Sequence, residues 1–323
     1  FGNQPVENSI DYIMRGGEEA SRIRMFTVQR ARSYDKDMED CAGGQWECAS
    51  PASVANCSAT AYFFAYNLTH AVNIPIGVIA TDWGGTRVES WMPLSALKDC
   101  VTEEQFKQKQ TVHDIKPSEL YCAMIAPIRN FTARGFLWYQ GEANLGDIDH
   151  YDKMMARMVE QWRSDWGDED NSMPFYYAQI APYSYGDSQN ISYPLFVEAQ
   201  VRALSEIPNC GMAGTTDIGS ENCIHPAQKF EVGQRLAALA LMQTYGQSGF
   251  EPRAPRMESY EIRDGKVTVR LLRAGLGLTP WYGEPIKGFE IAGSDRVFHK
   301  ANASISGNSV TVWSEEVKEP VAV

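Results

Sequence analysis

The stretch Ile76–Ser90, which reads IGVIATDWGGTRVES, contains the pattern that decides the fold. Its first part, Ile76–Asp82, is a short run of mainly aliphatic residues, typical of a buried β-strand. A polar segment with two glycines follows the strand directly. In open α/β sheets, ligands bind just beyond the carboxyl ends of the strands. This stretch therefore predicts a sheet with a ligand site at one edge.

Strand-like and helix-like segments alternate up to about residue 245, which is typical of a parallel sheet covered by helices on both faces. We therefore predict an α/β fold, with a three-layer α/β/α domain over residues 1–249. The predicted strands are Arg22–Val28, Ile76–Asp82, Gly135–Tyr139, Pro174–Ile180 and Met212–Asp217. The predicted helices include Ser58–Ala71, His150–Trp166 and Ala227–Tyr245.

The pattern changes after Gly249, where two prolines, Pro252 and Pro255, indicate a linker. Period-2 alternation then takes over, which is typical of half-buried strands. We predict a small β-sandwich-like domain over residues 250–323. Its expected strands include Lys266–Leu272, Lys287–Ile291 and Ser309–Trp313, and its expected hairpin turns are Asp264-Gly265 and Gly307-Asn308.

Composition excludes several classes of function. The chain has 29 Lys and Arg residues against 41 Asp and Glu residues, a net charge of -12. A surface this acidic repels phosphate backbones, so we expect no nucleic-acid partner. The apolar runs stay short of the roughly 18 residues that a membrane helix needs, so we expect no membrane span.

The histidines and cysteines do not have the spacing of a metal site. The five histidines are scattered, and no CxxC pair is present. We therefore expect no metal ion and no cofactor. Seven cysteines allow up to three disulfides, or none in a reducing compartment, and Cys41 and Cys48 are the pair that the sequence favours.

Polar residues directly after the predicted strands are the candidates for chemistry. Gly84 and Gly85 allow backbone N–H groups to approach a ligand oxygen, as in an oxyanion hole. After the strand at Gly135–Tyr139, Gln140 can donate hydrogen bonds through its amide and Glu142 can orient a histidine.

The last predicted strand ends near Asp217, and His225-Pro226 follows at the entrance to a long helix. A histidine in this position can act as a general base. Each of these residues also has a purely structural interpretation. Gly84 and Gly85 would serve a turn that needs glycine, Glu142 would cap a helix or form an ion pair, and His225 would be a surface histidine.

Gly186-Asp187-Ser188 resembles the nucleophile turn of some lipases, but it stands in a polar loop after Ala181-Pro182-Tyr183. That motif belongs after the first strand of its fold. We therefore interpret it as a surface loop.

Together, Gly77–Thr86, Trp138–Glu142 and Asp217–Gly219 with Ile224–Pro226 resemble the sialate O-acetylesterase family. Further matching segments, in the same order, are Met124–Pro127, Gln179–Tyr183, and Lys229 with Val232–Leu236. The resemblance covers nearly the whole chain. It implies an SGNH-type hydrolase with a flavodoxin-like sheet, in which a serine attacks an acetyl ester without a metal.

The resemblance also implies roles for individual residues. Gly84 or Gly85 would supply a backbone donor to the oxyanion, and Gln140 a side-chain donor. His225 would be the general base, with Glu142 or Asp217 orienting it; Glu142 is the preferred candidate. Many related enzymes carry an aspartate two or three residues before the histidine, where this chain has Cys223 and Asn222.

In the family, the serine stands in a Gly-Gln-Ser-Asn segment ahead of the region that residues 1–8 resemble, and this chain contains no such segment. We therefore expect that the chain is truncated before its nucleophile and is nearly inactive alone. We also expect export to the periplasm, the extracellular space or the lysosome, with the signal peptide outside this sequence.

The leading functional hypothesis is release of acetate from O-acetylated sialic acid. The first alternative is an acetylxylan esterase of the same fold. The second is a glycan-binding protein without catalysis. Aromatic residues near the expected site suit sugar faces or belong to the core: Trp83, Trp91, Trp138 and Tyr139.

Overall fold

The computed structural model describes residues 5–15, 20–98, 100, 102, 113–186, 191–275, 277–280 and 283–323. They form two compact units, the first reaching Ser248 and the second beginning at Gly249.

The first unit is built on short parallel strands rich in aliphatic and aromatic residues. They form two three-stranded sheets with the orders β2-β1-β3 and β4-β5-β6. All neighbouring strands run parallel except β2, which pairs antiparallel with β1. The strands are β1 (Ile23–Thr27), β2 (Trp46–Cys48), β3 (Ile76–Ala80), β4 (Phe136–Trp138), β5 (Phe175–Ala178) and β6 (Cys210–Ala213).

Helices cover both faces of these sheets. Among the described residues, no helix is long and apolar enough to cross a membrane. The helices are α1 (Ser9–Met14), α2 (Pro51–Asn56), α3 (Ala59–Val72), α4 (Leu94–Leu97), α5 (Tyr151–Asp165), α6 (Ser192–Glu206) and α7 (Lys229–Gln243).

The alternation of side chains along β5 divides the core into two halves. Phe175 and Tyr177 pack into the cluster that contains α5 and α6 residues. Tyr176 and Ala178 point to the other face and pack with residues of α3 and α7. All four are buried. The predicted α/β fold, with a parallel sheet between two helical layers, is confirmed.

Helices α3 and α7 approach each other closely at Gly233. A Cβ atom at this position would lie 2.5 Å from the Cβ of Phe63 and 2.7 Å from the backbone nitrogen of Phe64. Only a residue without a side chain fits such a contact. The apolar stripe of α7, including Val232 and Leu236, is buried beside it.

The predicted strands end earlier than the sequence pattern indicated. The strand expected at Met212–Asp217 spans Cys210–Ala213, because the chain then turns out of the sheet. The buried hydroxyl of Thr215 fixes that turn by donating to the carbonyls of Gln179 and Ile180 at 3.1 and 3.0 Å. The edge strand β2 was not predicted, and its three residues are exposed. The predicted pairing of Cys41 with Cys48 is wrong, since both are free thiols.

The second unit consists of antiparallel strands around a small core of valines and isoleucine. A four-stranded sheet has the order β11-β12-β8-β7, and β9 pairs with β10. Asp264 and Gly265 both have positive φ, 52° and 72°, as the hairpin turn between β7 and β8 requires. The strands are β7 (Arg256–Arg263), β8 (Lys266–Leu272), β9 (Glu290–Ala292), β10 (Phe298–Lys300), β11 (Asn302–Ser306) and β12 (Ser309–Trp313).

A buried arginine fastens α5 to the amino-terminal edge of the sheet. Arg163 donates to the carbonyls of Met173 at 2.8 Å, Pro208 at 2.8 Å and Asn209 at 3.2 Å. Its side chain is 2% exposed, and Asp168 lies 3.7 Å from it. One buried cation thus satisfies carbonyl groups that precede both β5 and β6.

Arg163→Met should lower the free energy of unfolding of the first unit by about 3 to 5 kcal/mol, because these carbonyls and Asp168 would lose their buried partner. The matched control is Lys153→Met on the same helix, which removes an exposed cation and should cost less than about 1 kcal/mol. Urea denaturation of both variants measures the difference. Equal effects would contradict the structural role of Arg163.

Candidate active site

The carboxyl ends of β3, β4 and β6 carry the three segments that the sequence singled out. Because parallel strands end at the same edge of a sheet, their following turns can meet there. The turn after β3 and the turn after β4 are in direct contact, since the amide of Gln140 donates to the carbonyl of Thr86 at 3.1 Å.

The turn after β3 has a fixed backbone and an open outer side. Gly85 has a φ of +74°, and a Cβ atom on Gly84 would meet nothing within 4 Å. The hydroxyl of Thr86 donates to the carbonyl of Trp83 at 2.7 Å and accepts from the indole of Trp91 at 3.0 Å. Gly84 therefore borders open space on a turn that buried side chains hold in place.

Gln140, the predicted side-chain donor to an oxyanion, is fully engaged within the protein. One amide hydrogen is donated to Thr86 and the other to the Oδ1 of Asn144 at 2.7 Å. Its Oε1 accepts from the hydroxyl of Tyr151 at 3.0 Å. In this geometry Gln140 has no amide hydrogen left for a ligand. Its contacts instead hold the turn after β3.

A buried polar network that the sequence analysis missed extends from Asn144. Its Oδ1 accepts from the backbone N–H of Val88 at 3.0 Å, and its amide donates to Glu89 at 3.0 Å. Arg87 donates to Glu89 at 2.7 Å and also to Asp147. Asn144 and Glu89 both stand in or beside the segments quoted above, but no sequence spacing indicated that they meet.

Asp217 is bound by an arginine of α7. Arg235 donates to both carboxylate oxygens, at 2.7 and 2.6 Å, in a two-pronged ion pair. The hydrogen bonds from Arg235, together with its charge, hold the pKa of Asp217 below its ordinary value despite partial burial. Among the described residues, neither Asp217 nor Glu142 forms a hydrogen bond with the ring of His225.

His225 lies in the loop before α7, and the residue as a whole is exposed to solvent. Partial burial of the ring, and secondly the positive charge of Lys229, lower the pKa of His225 below 6.5. The backbone of this loop is anchored, since the thiol of Cys223 donates to the His225 carbonyl at 3.2 Å. The imidazole is therefore mainly neutral near pH 7, the form that accepts a proton.

Glu142 is half-buried in the turn after β4. Burial raises its pKa, while its own backbone N–H and the charge of Lys229 lower it. Lys229 is the first residue of α7, and its ammonium lies 5.3 Å from the centre of the Tyr139 ring. The sequence analysis gave Lys229 no role. A cation at the start of a helix, where the helix dipole disfavours it, was the signal that could have found it.

Tyrosines surround Glu142. Burial, then the charge of Glu142, raise the pKa of Tyr139 and Tyr185. The ring of Tyr185 stacks on Tyr193 with a centroid distance of 6.0 Å and meets Tyr183 edge-on at 5.2 Å. The indoles of the candidate sugar contacts Trp91 and Trp138 belong to the core, whereas Trp83 and Tyr139 are half-buried.

Two further expectations concern residues outside this cluster. Gly186 lies in the segment after β5, while Asp187 and Ser188 of the Gly-Asp-Ser sequence lie outside the described residues. In the part of the chain that the structure describes, no group of three or more histidine, cysteine or acidic side chains could hold a metal ion.

Comparison with known proteins gives one consistent result. Human sialate O-acetylesterase is 27% identical over 264 residues, covering 74% of this chain and 50% of the human protein. Mouse sialate O-acetylesterase is 24% identical over 317 residues, and the match covers 81% of this chain and 58% of the mouse protein. The present chain thus matches little more than half the length of these relatives.

A crystal structure of a carbohydrate acetylesterase from Xanthomonas citri superimposes with a TM-score of 0.86 at 32% identity, covering 98% of this chain and 70% of that one. The family model described as carbohydrate esterase, sialic acid-specific acetylesterase matches residues 11–242. The chain therefore belongs to the family of sialic acid-specific carbohydrate acetylesterases.

Proposed function

We propose that this chain supplies the general base and the oxyanion-binding turn of an SGNH-type carbohydrate O-acetylesterase, which releases acetate from O-acetylated sialic acid. The observation that carries the proposal is the position of His225 in the segment that follows β6. Its surroundings lower the pKa of the imidazole and so favour the neutral form, which can accept a proton. The turn at Gly84 and Gly85, which is open beside Gly84, follows β3 in the same unit.

The reaction requires few groups. A serine hydroxyl attacks the acetyl carbonyl carbon while His225 accepts its proton, and backbone N–H groups of Gly84 or Gly85 bind the oxyanion. The sugar oxygen leaves with the proton from His225. Water, activated by His225, then cleaves the acetyl-serine to acetate and restores the serine.

We further propose that the serine reaches the site on a strand between β3 and β4, from the Gly-Gln-Ser-Asn segment expected ahead of Phe1. Two observations support this. Among the described strands, β3 and β4 belong to different sheets, so each has an unpaired edge. Strand β5 is wholly buried, whereas Val78, Ile79 and Leu137 at these edges are only half-buried. An additional apolar strand would cover them.

Asp217 and Glu142 are the two candidates for the carboxylate partner of His225. Both oxygens of Asp217 are engaged by Arg235, so we propose Glu142 as the acid of the site. We propose Gln140 as the residue that holds Thr86 and Asn144, with oxyanion binding left to the glycine turn. The expected export of the protein remains a prediction.

The names of the relatives favour sialic acid over xylan as the sugar. The test is acetate release from O-acetylated sialic acid, acetylated xylan and 4-nitrophenyl acetate. It compares the 323 residues with the chain extended upstream by its own coding sequence. Faster release from xylan would move the assignment to an acetylxylan esterase. Glycan binding without release by the extended chain would contradict the esterase assignment.

In the extended chain, His225→Ala should lower kcat by at least about a thousandfold, because the serine would lose its general base. The matched control is His70→Ala, which removes an exposed histidine of α3 and should leave kcat unchanged. Initial rates of acetate release measure both. A His225→Ala variant that keeps its activity would exclude His225 as the base.

The pH profile provides a second prediction. Because the neutral imidazole is the active form and the pKa of His225 is lowered, the acid limb of kcat/KM should have its midpoint below the ordinary histidine pKa. Rates measured between about pH 4.5 and 8.5 on a substrate without a titrating group test this. An acid-limb midpoint at or above the ordinary histidine pKa would contradict the described environment of His225.

A further inference from the structure

We propose that Arg30 and Trp83 form the subsite that binds the sugar, with Trp83 against the sugar ring and Arg30 on a carboxylate. Arg30 thereby makes the enzyme selective for acetyl esters of an acidic sugar, such as sialic acid, over those of neutral sugars. This inference rests on the proposed esterase function. It assigns a substrate contact to the segment that follows β1, which lies outside the turns described above.

Arg30 lies close to the turn that carries Gly84 and Gly85. Strand β1 ends at Thr27 and pairs in parallel with β3, so the segments that follow the two strands leave the sheet at the same edge. Arg30 connects these segments, because its Nε donates to the backbone carbonyl of Asp82 and its Nη2 to the Asp82 carboxylate, both at 3.0 Å. Asp82 precedes Gly84 by two residues, a chain length of at most about 7 Å. The guanidinium is therefore a neighbour of the proposed oxyanion-binding turn.

Trp83 provides an aromatic surface between Arg30 and the glycine turn. The guanidinium carbon of Arg30 lies 5.8 Å from the centre of the Trp83 ring, and the ring of His113 meets the same indole at 6.0 Å. Trp83 is half-buried, so part of it remains open to solvent. An aromatic side chain offers a large apolar face, which suits the C–H side of a sugar ring. Because Trp83 directly precedes Gly84, a sugar whose acetyl group is held at the turn can contact the indole.

The hydrogen bonds of Arg30 leave one end of its guanidinium available. A guanidinium has five N–H donors in a planar fork, and a carboxylate can accept two of them in parallel. Asp82 accepts from Nε and Nη2, which form the side of the group. Within the described ranges no residue accepts a hydrogen bond from Nη1, and the Arg30 side chain is 55% exposed. The fork formed by Nη1 and Nη2 is therefore free for a carboxylate from solution.

Three other arginines near these turns, by contrast, use both terminal nitrogens within the protein. They are Arg32, Arg87 and Arg235. Their acceptors are acidic side chains and backbone carbonyls, so these cations hold segments of the scaffold together. Arg30 differs because both of its described acceptors belong to one residue, Asp82, and its exposed ion pair contributes little to stability. Its arrangement suits a ligand contact better than a structural one.

Sialic acid carries the groups that fit this pair of residues. It is a sugar with a carboxylate on its ring, and its acetyl esters are formed by hydroxyl groups of the same molecule. With the ester at the glycine turn, the ring would lie against Trp83 and the carboxylate at the free fork of Arg30. Such a pair gains two charge-assisted hydrogen bonds in one plane. Asp82 holds the guanidinium from its other side, and the neutral xylose units of xylan offer no comparable partner.

The first test changes the substrate. Acetate release by the extended chain is measured on O-acetylated sialic acid and on the methyl ester of the same compound, whose carboxyl group has no charge. We expect kcat/KM to be at least about tenfold lower for the methyl ester, chiefly through KM, because the charge-assisted hydrogen bonds are lost. Equal values for the two substrates would overturn the proposal. This comparison needs no variant, so it does not depend on how a substitution folds.

The second test changes the protein. Arg30→Gln should lower kcat/KM for O-acetylated sialic acid by about the same factor and should leave the value for the methyl ester nearly unchanged. The two changes remove the same interaction, so their effects should not add. Arg30→Lys should recover only part of the loss, because an ammonium group cannot donate the parallel pair. An equal loss on both substrates would mean that Arg30 supports the turn rather than the carboxylate, and the proposal would be wrong.

The matched control is Arg24→Gln, which changes an exposed arginine at the amino-terminal end of β1 that donates to the carbonyls of Ser21 and Ile23. It should leave both values unchanged. The substrate 4-nitrophenyl acetate, which has neither a sugar nor a carboxylate, separates the two possible failures. Its hydrolysis by the extended chain, without any effect of the sugar carboxylate, would refute this proposal alone. No hydrolysis of it would refute the esterase function and this proposal with it.

Discussion

The hydrogen bonds of one buried amide, that of Asn144, hold the two turns of the candidate site together. Among the described strands, β3 and β4 do not pair, so their carboxyl ends need another connection. Asn144 provides it through Val88, Glu89 and Gln140. A buried donor or acceptor left unpaired costs about 1–3 kcal/mol, so such a network permits few alternative geometries. The hydrogen bonds of this network therefore hold the turn at Gly84 and Gly85 in place.

The charges around the site differ in how they are satisfied. Glu89 and Asp217 each have an arginine at hydrogen-bond distance, Arg87 and Arg235. These carboxylates are therefore fixed parts of the scaffold. Glu142 is instead half-buried, and the titratable groups around it include Lys229 and the tyrosines Tyr139 and Tyr185.

The sequence predicted the fold because each element carries its own signal. The apolar run of β5, the apolar stripe of α7 and the glycine turn after β3 are local patterns, and the structure contains all three. Contacts between distant segments carry no such signal. Asn144 and Glu89 are 55 residues apart, and the engagement of Asp217 by Arg235 depends on how α7 packs. The oxyanion role expected of Gln140 rested on its residue type alone, and its partners Thr86, Asn144 and Tyr151 are visible only in three dimensions.

Covalent labelling tests the central claim most directly, namely that a serine activated by His225 performs ester hydrolysis at this edge of the sheet. The extended chain would be treated with a fluorophosphonate and the modified residue located by mass spectrometry. We predict one adduct, on the serine that we propose lies ahead of Phe1, and its loss in His225→Ala. Labelling of a serine within residues 1–323, or undiminished labelling without His225, would contradict the account.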